Sequence, residues 1–466
     1  MANIVKGLSG VSGLVVGSTQ ATYDTAVAAT VLFTDRRDFY VEPNVVKELW
    51  TDVSPFLTMV SNFRTKSGLK DPVFKMFEHR NTWKEQRFLI GTETSSLDPS
   101  SNSEVTITLA ASSATNTVGL GSARGDHYEG LICNVHAADP ADANKPFGER
   151  LACVLISTYT SDTEVKVKVL STHDGSAHTL TSTEVFVVVG NAHGEGSESP
   201  EPFADDLQVV WGECQIFRTP LRITDTLKKA VLRGESDELM RIRKIKGQEH
   251  KIQKEKAMIF GNSYMGNNLD QTDSFADTFK TDANGEPVRT TTGILEAILS
   301  YGDTSGDDQN IFSITEATYK YSNFVDDMEK VFQYYPEDGV KTMFCGHGML
   351  SYWSKLEMAS GLAKNSGWQV KLSDMKRDTL GFNYRLLETP HGLIQLVPTP
   401  VLTRSPYNKY GIIVDKSNIM HAIYESPLYR QNIKTDNAPL YQKDEYFSYE
   451  GLGIQLIESH KLFKLV

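Results

Sequence analysis

Residues 221–260, LRITDTLKKAVLRGESDELMRIRKIKGQEHKIQKEKAMIF, carry the longest uninterrupted helical pattern in the chain, and no proline stands between Pro220 and Pro287. From Glu235 to Lys256, basic Arg241, Arg243, Lys244, Lys246, Lys251, Lys254 and Lys256 are mixed with acidic Glu235, Asp237, Glu238, Glu249 and Glu255. The apolar positions form a narrow track: Ile245, Ile252 and Ile259 recur every seven residues, and Leu239 and Ile242 extend the face one turn earlier. Ser236 reads as the N-cap, Asp237 and Glu238 suit the first turn, and Gly261-Asn262 is a stop signal. About 24 residues of helix span roughly 36 Å. With one thin apolar stripe, such a helix leaves most of its surface to water, to ion-pair partners or to another subunit. The plainest reading of the pattern alone is a solvated amphipathic helix.

A chain of 466 residues holds about three domain-sized units. Its 40% hydrophobic and 23% charged residues are enough to build cores. The net charge of −12 argues against a protein whose main task is gripping nucleic acid through phosphates, which needs a basic footprint. Cys133, Cys153, Cys214 and Cys345 fit no zinc spacing, and so sparse a set reads as buried reduced thiols in a cytosolic assembly site. No run of 18 apolar residues predicts a membrane span. Residues 1–30, rich in Gly, Ser, Ala and Thr, read as an extended arm, not as a signal peptide.

Further along, SPFLTMVSNF (54–63) predicts a short helix, and the stretch 70–88 is strand-like. Between about 103 and 190 the texture changes. VTITL, GLICNV, LACVLIS, EVKVKVL and EVFVVVG are β-branched runs separated by turn residues, which predicts a small antiparallel barrel or sandwich. An acidic Gly/Pro/Ser-rich linker, HGEGSESPEP (193–202), follows. After the long helix, GILEAILSYG (293–302), 315–335 and 348–360 predict helices, and VKTMFCG (340–346) a buried strand. Asp326-Asp327 reads as the wet face of one of those helices. The C-terminal EYFSYEGLGIQLIESHKLFKLV reads as two strands about Gly451, ending on an apolar edge. Helices and strands mix without βαβ regularity, so the class is α+β.

No catalytic constellation stands out, and an enzyme is not expected. GLGSARG (119–125) has dinucleotide-like glycines but opens no helix, so it reads as a turn. Arg124-Gly125-Asp126 reads as a loop. Cys345 and His347 lack an orienting third group. Asp303, Asp307 and Asp308 lack the ligand pattern of a calcium loop. No cofactor and no metal are expected.

The order of parts resembles the major capsid proteins of tailed bacteriophages with the Hong Kong 97-like fold, in a subgroup with an inserted small β-domain. The resemblance rests on GECQIFRTPLRITDTLKKA (212–230) with the charged helix and its ending EKAMIFGN; on GNAHGEGSESPEP (190–202); and on FVDDMEKVFQYYPEDGVKTMFCGHGMLSYWSKL. It continues through YRLLETPHGLIQLVPTP, IIVDKSNIMHAI and EGLGIQLIESHKLFKLV, and covers most of 40–466. It implies an N-terminal arm (1–80), an extended loop (81–102 and 203–222) and an inserted β-domain with acidic linker (103–202). It further implies a peripheral domain with a long spine helix (223–310), an axial domain (311–425), and C-terminal strands returning to the peripheral domain (426–466).

The resemblance also implies self-assembly into pentamers and hexamers of an icosahedral virion shell, formed in the host cytoplasm around double-stranded DNA and without a membrane. A separate scaffolding protein, a portal and a decoration protein are the other expected partners. Arg241, Lys244, Lys251 and Lys254 on the spine helix are the expected assembly or lumen-facing residues, while Ile245, Ile252 and Ile259 pack on the subunit's own sheet. Two other readings are an encapsulin-like nanocompartment shell, which shares the fold, and a β-rich phage adhesin or sugar-binding protein, which rests on 103–190 alone.

Overall fold

The computed structural model describes residues 54–79, 87–91, 95–109, 129–140, 146–161, 164–198, 207–230, 237–263, 281–305, 309–334, 336, 339–359, 371–372, 376–377, 383–433 and 440–466. Residues 1–53 of the expected N-terminal arm, the glycine-rich turn at 119–125, the Arg-Gly-Asp tripeptide, and Asp307 and Asp308 lie outside these residues, while 54–79 of that arm carry a helix and two strands. In chain order the elements are α1 (Pro55–Phe63), β1 (Thr65–Ser67), β2 (Val73–Glu78), β3 (Arg87–Leu89), β4 (Ser96–Leu97), β5 (Val105–Thr108), β6 (Leu131–Ala138), β7 (Pro146–Ser161) and β8 (Glu164–Thr172). Then come β9 (His178–Thr179), β10 (Glu184–Asn191), β11 (Gln208–Glu213), β12 (Gln215–Thr224), α2 (Asp225–Lys229), α3 (Glu238–Phe260), α4 (Ile294–Tyr301), β13 (Ile311–Ile314), α5 (Tyr321–Phe332) and β14 (Val340–Cys345). The chain ends with α6 (His347–Ala359), β15 (Lys371–Leu372), β16 (Lys376–Arg377), β17 (Asn383–Glu388), β18 (Leu393–Pro398), α7 (Pro400–Thr403), β19 (Tyr410–Val414), β20 (Ile419–Arg430), β21 (Tyr441–Ile454) and β22 (Lys461–Leu465).

The chain divides into two compact units. The first comprises Met1–Asp52, Thr219–Gln248 and Tyr429–Glu445; the second comprises Val53–Arg218, Glu249–Leu428 and Tyr446–Val466.

Between residues 87 and 191 of the second unit, β4 pairs with β9 alone, and the other six described strands form one sheet in the order β3-β10-β6-β7-β8-β5. Its two edges meet. Ile90 bridges to Leu109, and the Gly91 N–H donates to Thr108 O at 2.8 Å, so the sheet closes into a barrel. Closure removes the exposed edges that invite aggregation. The core uses alternate residues of each strand, among them Val165, Val167, Ile107, Val135, Val154 and Phe186. Along β8 the expected alternation holds as far as Val169. There the pairing slips by one residue opposite Cys153 and Val154, so Leu170 bulges outward and Thr172, not Ser171, is buried. The barrel also draws in Phe88, Ile90 and Leu97, residues the sequence reading gave to the extended loop. The reason is that β3 pairs with β10 in register Phe88↔Phe186, Ile90 bridges to Leu109, and β4 pairs with β9 in register Leu97↔His178.

The barrel's sequence lies between β2 and β11, which pair with each other from Glu78↔Gln208 to Val73↔Glu213. One face of this ribbon, with Phe74, Met76 and Val210, packs on Met420, Ala422, Phe447 and Tyr449.

The larger sheet of the second unit runs β13-β22-β19-β14-β18-β17-β15, with β16 on β17. It is mixed: β14 is parallel to β18 and antiparallel to β19. Both faces are covered, so its strands read as continuous apolar runs. In β14, Phe344 enters the cluster with α1, α4 and the end of α3, while Met343 and Cys345 enter the cluster with α5 and α6. Trp353 of α6 is fully buried against Phe324 and Phe463, with ring centroids 5.2 and 5.8 Å away.

Several expectations need correcting. The C-terminal strand is not an edge: β22 lies between β13 and β19. Gly451 does not end a strand either, because β21 runs through it. A Cβ there would stand 2.4 Å from Glu213 O, so the glycine permits close backbone approach instead of a turn. Helix α5 starts later than expected, since the Lys320 N–H donates to Asn323 Oδ1 and caps it after a turn at Thr315–Tyr319. Asp327 of that helix is half-buried and accepts from Tyr319 Oη at 2.6 Å, so only Asp326 keeps the expected wet position.

Phe186 lies at the barrel's centre. Phe186→Ala is expected to cost about 3–5 kcal/mol. Hydrogen exchange on the full chain should then show lost protection in β6 and β10, with β14 and β18 unchanged.

Candidate functional site: the long helix and its buried carboxylates

Helix α3 starts at Glu238 because Asp237 Oδ1 accepts from Leu239 N and Met240 N at 3.0 and 3.2 Å. The cap is therefore one residue later than the sequence pattern predicts. Its apolar track is used unevenly. Ile259 is buried, Ile252 packs at the margin of the same cluster, and Ile245 is only half-buried. The residues that engage strands are mostly polar.

In the first unit, Asp444 of β21 is fully buried and gathers several donors. Arg243 of α3 donates through Nη2 at 2.9 Å, the Asn432 N–H at 2.8 Å, and Gln442 Nε2 at 3.0 Å; Tyr429 Oη also donates. Burial alone would raise the Asp444 pKa. The hydrogen bonds from Asn432, Tyr429, Arg243 and Gln442 outweigh it and bring the pKa down to about 2.

In the second unit the equivalent acceptor is Glu450, also fully buried. Lys254 Nζ lies 3.2 Å from both of its oxygens. His421 Nε2 of β20 lies 2.9 Å from Oε2, and its Nδ1 is 3.0 Å from Ser61 Oγ of α1. Burial opposes ionisation of Glu450, but the His421 hydrogen bond and the Lys254 charge win and lower its pKa. His250 bonds Ser448 Oγ at 3.0 Å, and burial, helped by the Lys254 charge, depresses its pKa to about 4.

The adjacent Glu255 has 0% exposure. Its carboxyl sits near the first N–H groups of α1, at Phe56 and Leu57, without a hydrogen bond of ordinary geometry. Burial wins over these weak donors and raises its pKa to about 8.

The four basic residues singled out on this helix therefore separate. Lys244 and Lys251 are exposed. Arg241 is half-buried and held by Glu238 of the preceding turn, Nε to Oε2 at 2.8 Å. Lys254 is not a surface residue at all, because it lies four residues from His250 on the strand-facing stripe. A lysine tolerates that position because Glu450 meets it. The signal lay in β21, where Asp444, Ser448 and Glu450 alternate with Phe447 and Tyr449: a core strand with one polar face needs donors opposite.

The other candidate chemistry disperses. Cys345 Sγ faces Val397 O and burial raises its pKa to about 12, while His347 Nδ1 bonds Thr403 Oγ1. All four cysteines are free and buried. Among the described residues no group of three or more His, Cys, Asp or Glu could hold a metal, and no helix is long and apolar enough to cross a membrane.

The family model of the SU10 major capsid protein matches residues 37–443. The chain belongs to the SU10 major capsid protein family. A major capsid protein of Pseudomonas phage PaMx41 is 26% identical over 174 residues, covering 36% of this chain and 37% of that relative; the match thus spans little more than a third of the relative's length. Among solved structures, the capsid of a native GTA particle overlaps 95% of this chain and 99% of its own at 10% identity, with a TM-score of 0.37. Mycobacterium phage Bobi overlaps 90% and 96% at 7% identity and a TM-score of 0.37. The SrpI encapsulin of Synechococcus elongatus PCC 7942 overlaps 56% and 76% at 6% identity and 0.34. These overlaps are too loose to argue from; membership in the capsid family rests on the match over 37–443.

Two outcomes are expected for this member of the family. Lys254→Met strands Glu450 and should cost about 3–5 kcal/mol in denaturant unfolding, most of it recovered in Lys254→Met/Glu450→Leu. Glu255 has a folded pKa above its ordinary value of 4.5, so the folded chain keeps a proton that the unfolded chain releases. The contribution of Glu255 to stability is then fully present below pH 4.5 and is lost as pH rises to about 8, by up to about 1.4 kcal/mol per pH unit. Unfolding curves across that range should lose this slope in Glu255→Gln.

Proposed function

We propose that this chain is the shell-building subunit of a tailed-phage capsid on the Hong Kong 97-like plan, forming pentamers and hexamers of an icosahedral virion shell around double-stranded DNA. The single observation that carries the reading is the match of the SU10 major capsid protein family over residues 37–443. The local geometry supports it: a long charged helix, α3, against strands, and a two-stranded ribbon, β2 and β11, leading to a closed barrel.

In this reading α3 is the spine helix, and β2, which the expected boundaries put at the end of the N-terminal arm, joins β11 as the root of the extended loop, with the barrel as its inserted domain. The mixed sheet with α5 and α6 is the axial domain. The chain's role is structural, not enzymatic. Assembly takes place in the host cytoplasm with a separate scaffolding protein, a portal and a decoration protein as partners. Lys244 and Lys251, exposed on α3, face the lumen or a neighbouring subunit; Arg241 contributes less and Lys254 serves inside its own fold.

Electron microscopy of the purified chain, with and without phage co-expression, tests this. Closed shells that package DNA are the expected result; closed shells around protein cargo would indicate a nanocompartment, and monomers or fibrous trimers would overturn both. Lys244→Glu/Lys251→Glu should leave circular dichroism unchanged while reducing the yield of filled particles. Normal filling in that variant would return the two lysines to simple solvation.

A further inference from the structure

Charge is not spread evenly over this acidic chain. The first unit's segments 219–248 and 429–445 hold eleven Lys and Arg against seven Asp and Glu, a net of +4, where the whole chain carries −12. Part of that excess is gathered on one surface made by β12, α2 and the start of β21. Arg222, Lys228 and Lys229 are exposed there, and Asp225 in the first turn of α2 is the acid among them. The same surface leaves Leu227 at 39% and Leu440 at 82% exposure.

These residues are contiguous. The Asp225 N–H donates to Leu440 O at 3.2 Å, and Lys228 Nζ donates to Gln442 Oε1 at 2.8 Å. The Arg222 guanidinium lies 3.9 Å from the centre of the Tyr441 ring.

Two of the three cations are also held in place, which is unusual for surface side chains. Gln442 Nε2 donates to Asp444, so the contact that orients Lys228 is itself fixed by the buried carboxylate. Arg222 lies over the Tyr441 ring. Ordering a long side chain costs a binding surface about 0.5–1.5 kcal/mol, and here much of that ordering exists before any partner arrives.

We propose that this surface docks an acidic amphipathic segment of a partner protein. The inference rests on the capsid reading only for the occasion, a protein that meets the subunit during assembly. A DNA duplex would use the three cations but leave Leu227 and Leu440 in water. A segment with an apolar stripe flanked by carboxylates covers both kinds of residue.

The test uses the full chain, fluorescence anisotropy, and three probes: a labelled amphipathic helical peptide of Leu and Glu, its Leu and Lys counterpart, and a DNA duplex. The Leu and Glu peptide should bind, more weakly as salt rises, and the other two should not compete. Lys228→Glu/Lys229→Glu should weaken it about tenfold. Leu227→Ser/Leu440→Ser should weaken it by a similar factor with the salt dependence kept. If charge reversal disturbs circular dichroism, Lys228→Gln/Lys229→Gln replaces it, with a smaller loss expected. Failure of the peptide to bind the wild type, or equal binding by every variant, overturns the proposal. A duplex that binds and is lost in the lysine variants but not in the leucine variants overturns it in favour of nucleic acid. Shells seen by microscopy without peptide binding refute the docking surface and leave the capsid reading standing; peptide binding without shells does the reverse.

Discussion

A carboxylate sealed from water is the constraint on which much of this structure turns. Glu450 has no solvent to stabilise its charge, and an uncompensated ion at such a depth costs several kcal/mol. Lys254, His421 and, through His421, Ser61 meet that demand, so three other segments of the chain converge on one side chain. Such a cluster adds little net stability compared with a well-packed apolar substitute. It does fix which turn of α3 lies against which pair of residues in β21. An apolar stripe could slide by a turn; a lysine that must reach one carboxylate cannot. Asp444 plays the same part in the first unit, with Arg243 as its cation.

The polar fixings sit beside conventional packing. The mixed sheet is buried on both faces, and its strands need no charge to find their depth. Two buried lysines are exceptions there: Lys461 of β22 donates to Gln309 O at 2.8 Å, and the other is Lys341 of β14. It is fully buried and donates to Val331 O near the end of α5 and to Ser459 O, satisfying carbonyls that would otherwise lack donors. Burial lowers its pKa to about 8.

Much of the element order was legible in the sequence because it is written in local periodicity. The β-branched runs of the barrel, the buried strand VKTMFC and the length of α3 all follow from residues within one window. What was not legible depends on partners far along the chain. The pattern of α3 names Ile245, Ile252 and Ile259 as its inner face, yet Arg243, His250 and Lys254 reach the polar residues of β21, and only Asp444, Ser448 and Glu450 on that strand explain why. The barrel's extent was missed for the same reason: Phe88 and Ile90 sit in a short, broken stretch whose fate is decided by β10 and β5. The surface on α2 and β21 left no sequence signal, since Leu227 and Leu440 are far apart in the chain and each alone is ordinary.

The pairing of β2 with β11 has one more consequence. Glu78 and Gln208 are directly opposite each other, so everything between them leaves and re-enters the fold at a single rung of the ladder. The barrel is closed upon itself and so asks nothing of that rung except that its two ends stay side by side. A different self-contained module with neighbouring termini could be spliced in at the same place, or the barrel exchanged for a bare turn, without altering the register of any strand outside it. The ribbon is thus a socket, and the diversity such a lineage can carry on its subunits is set by what two adjacent chain ends will accept.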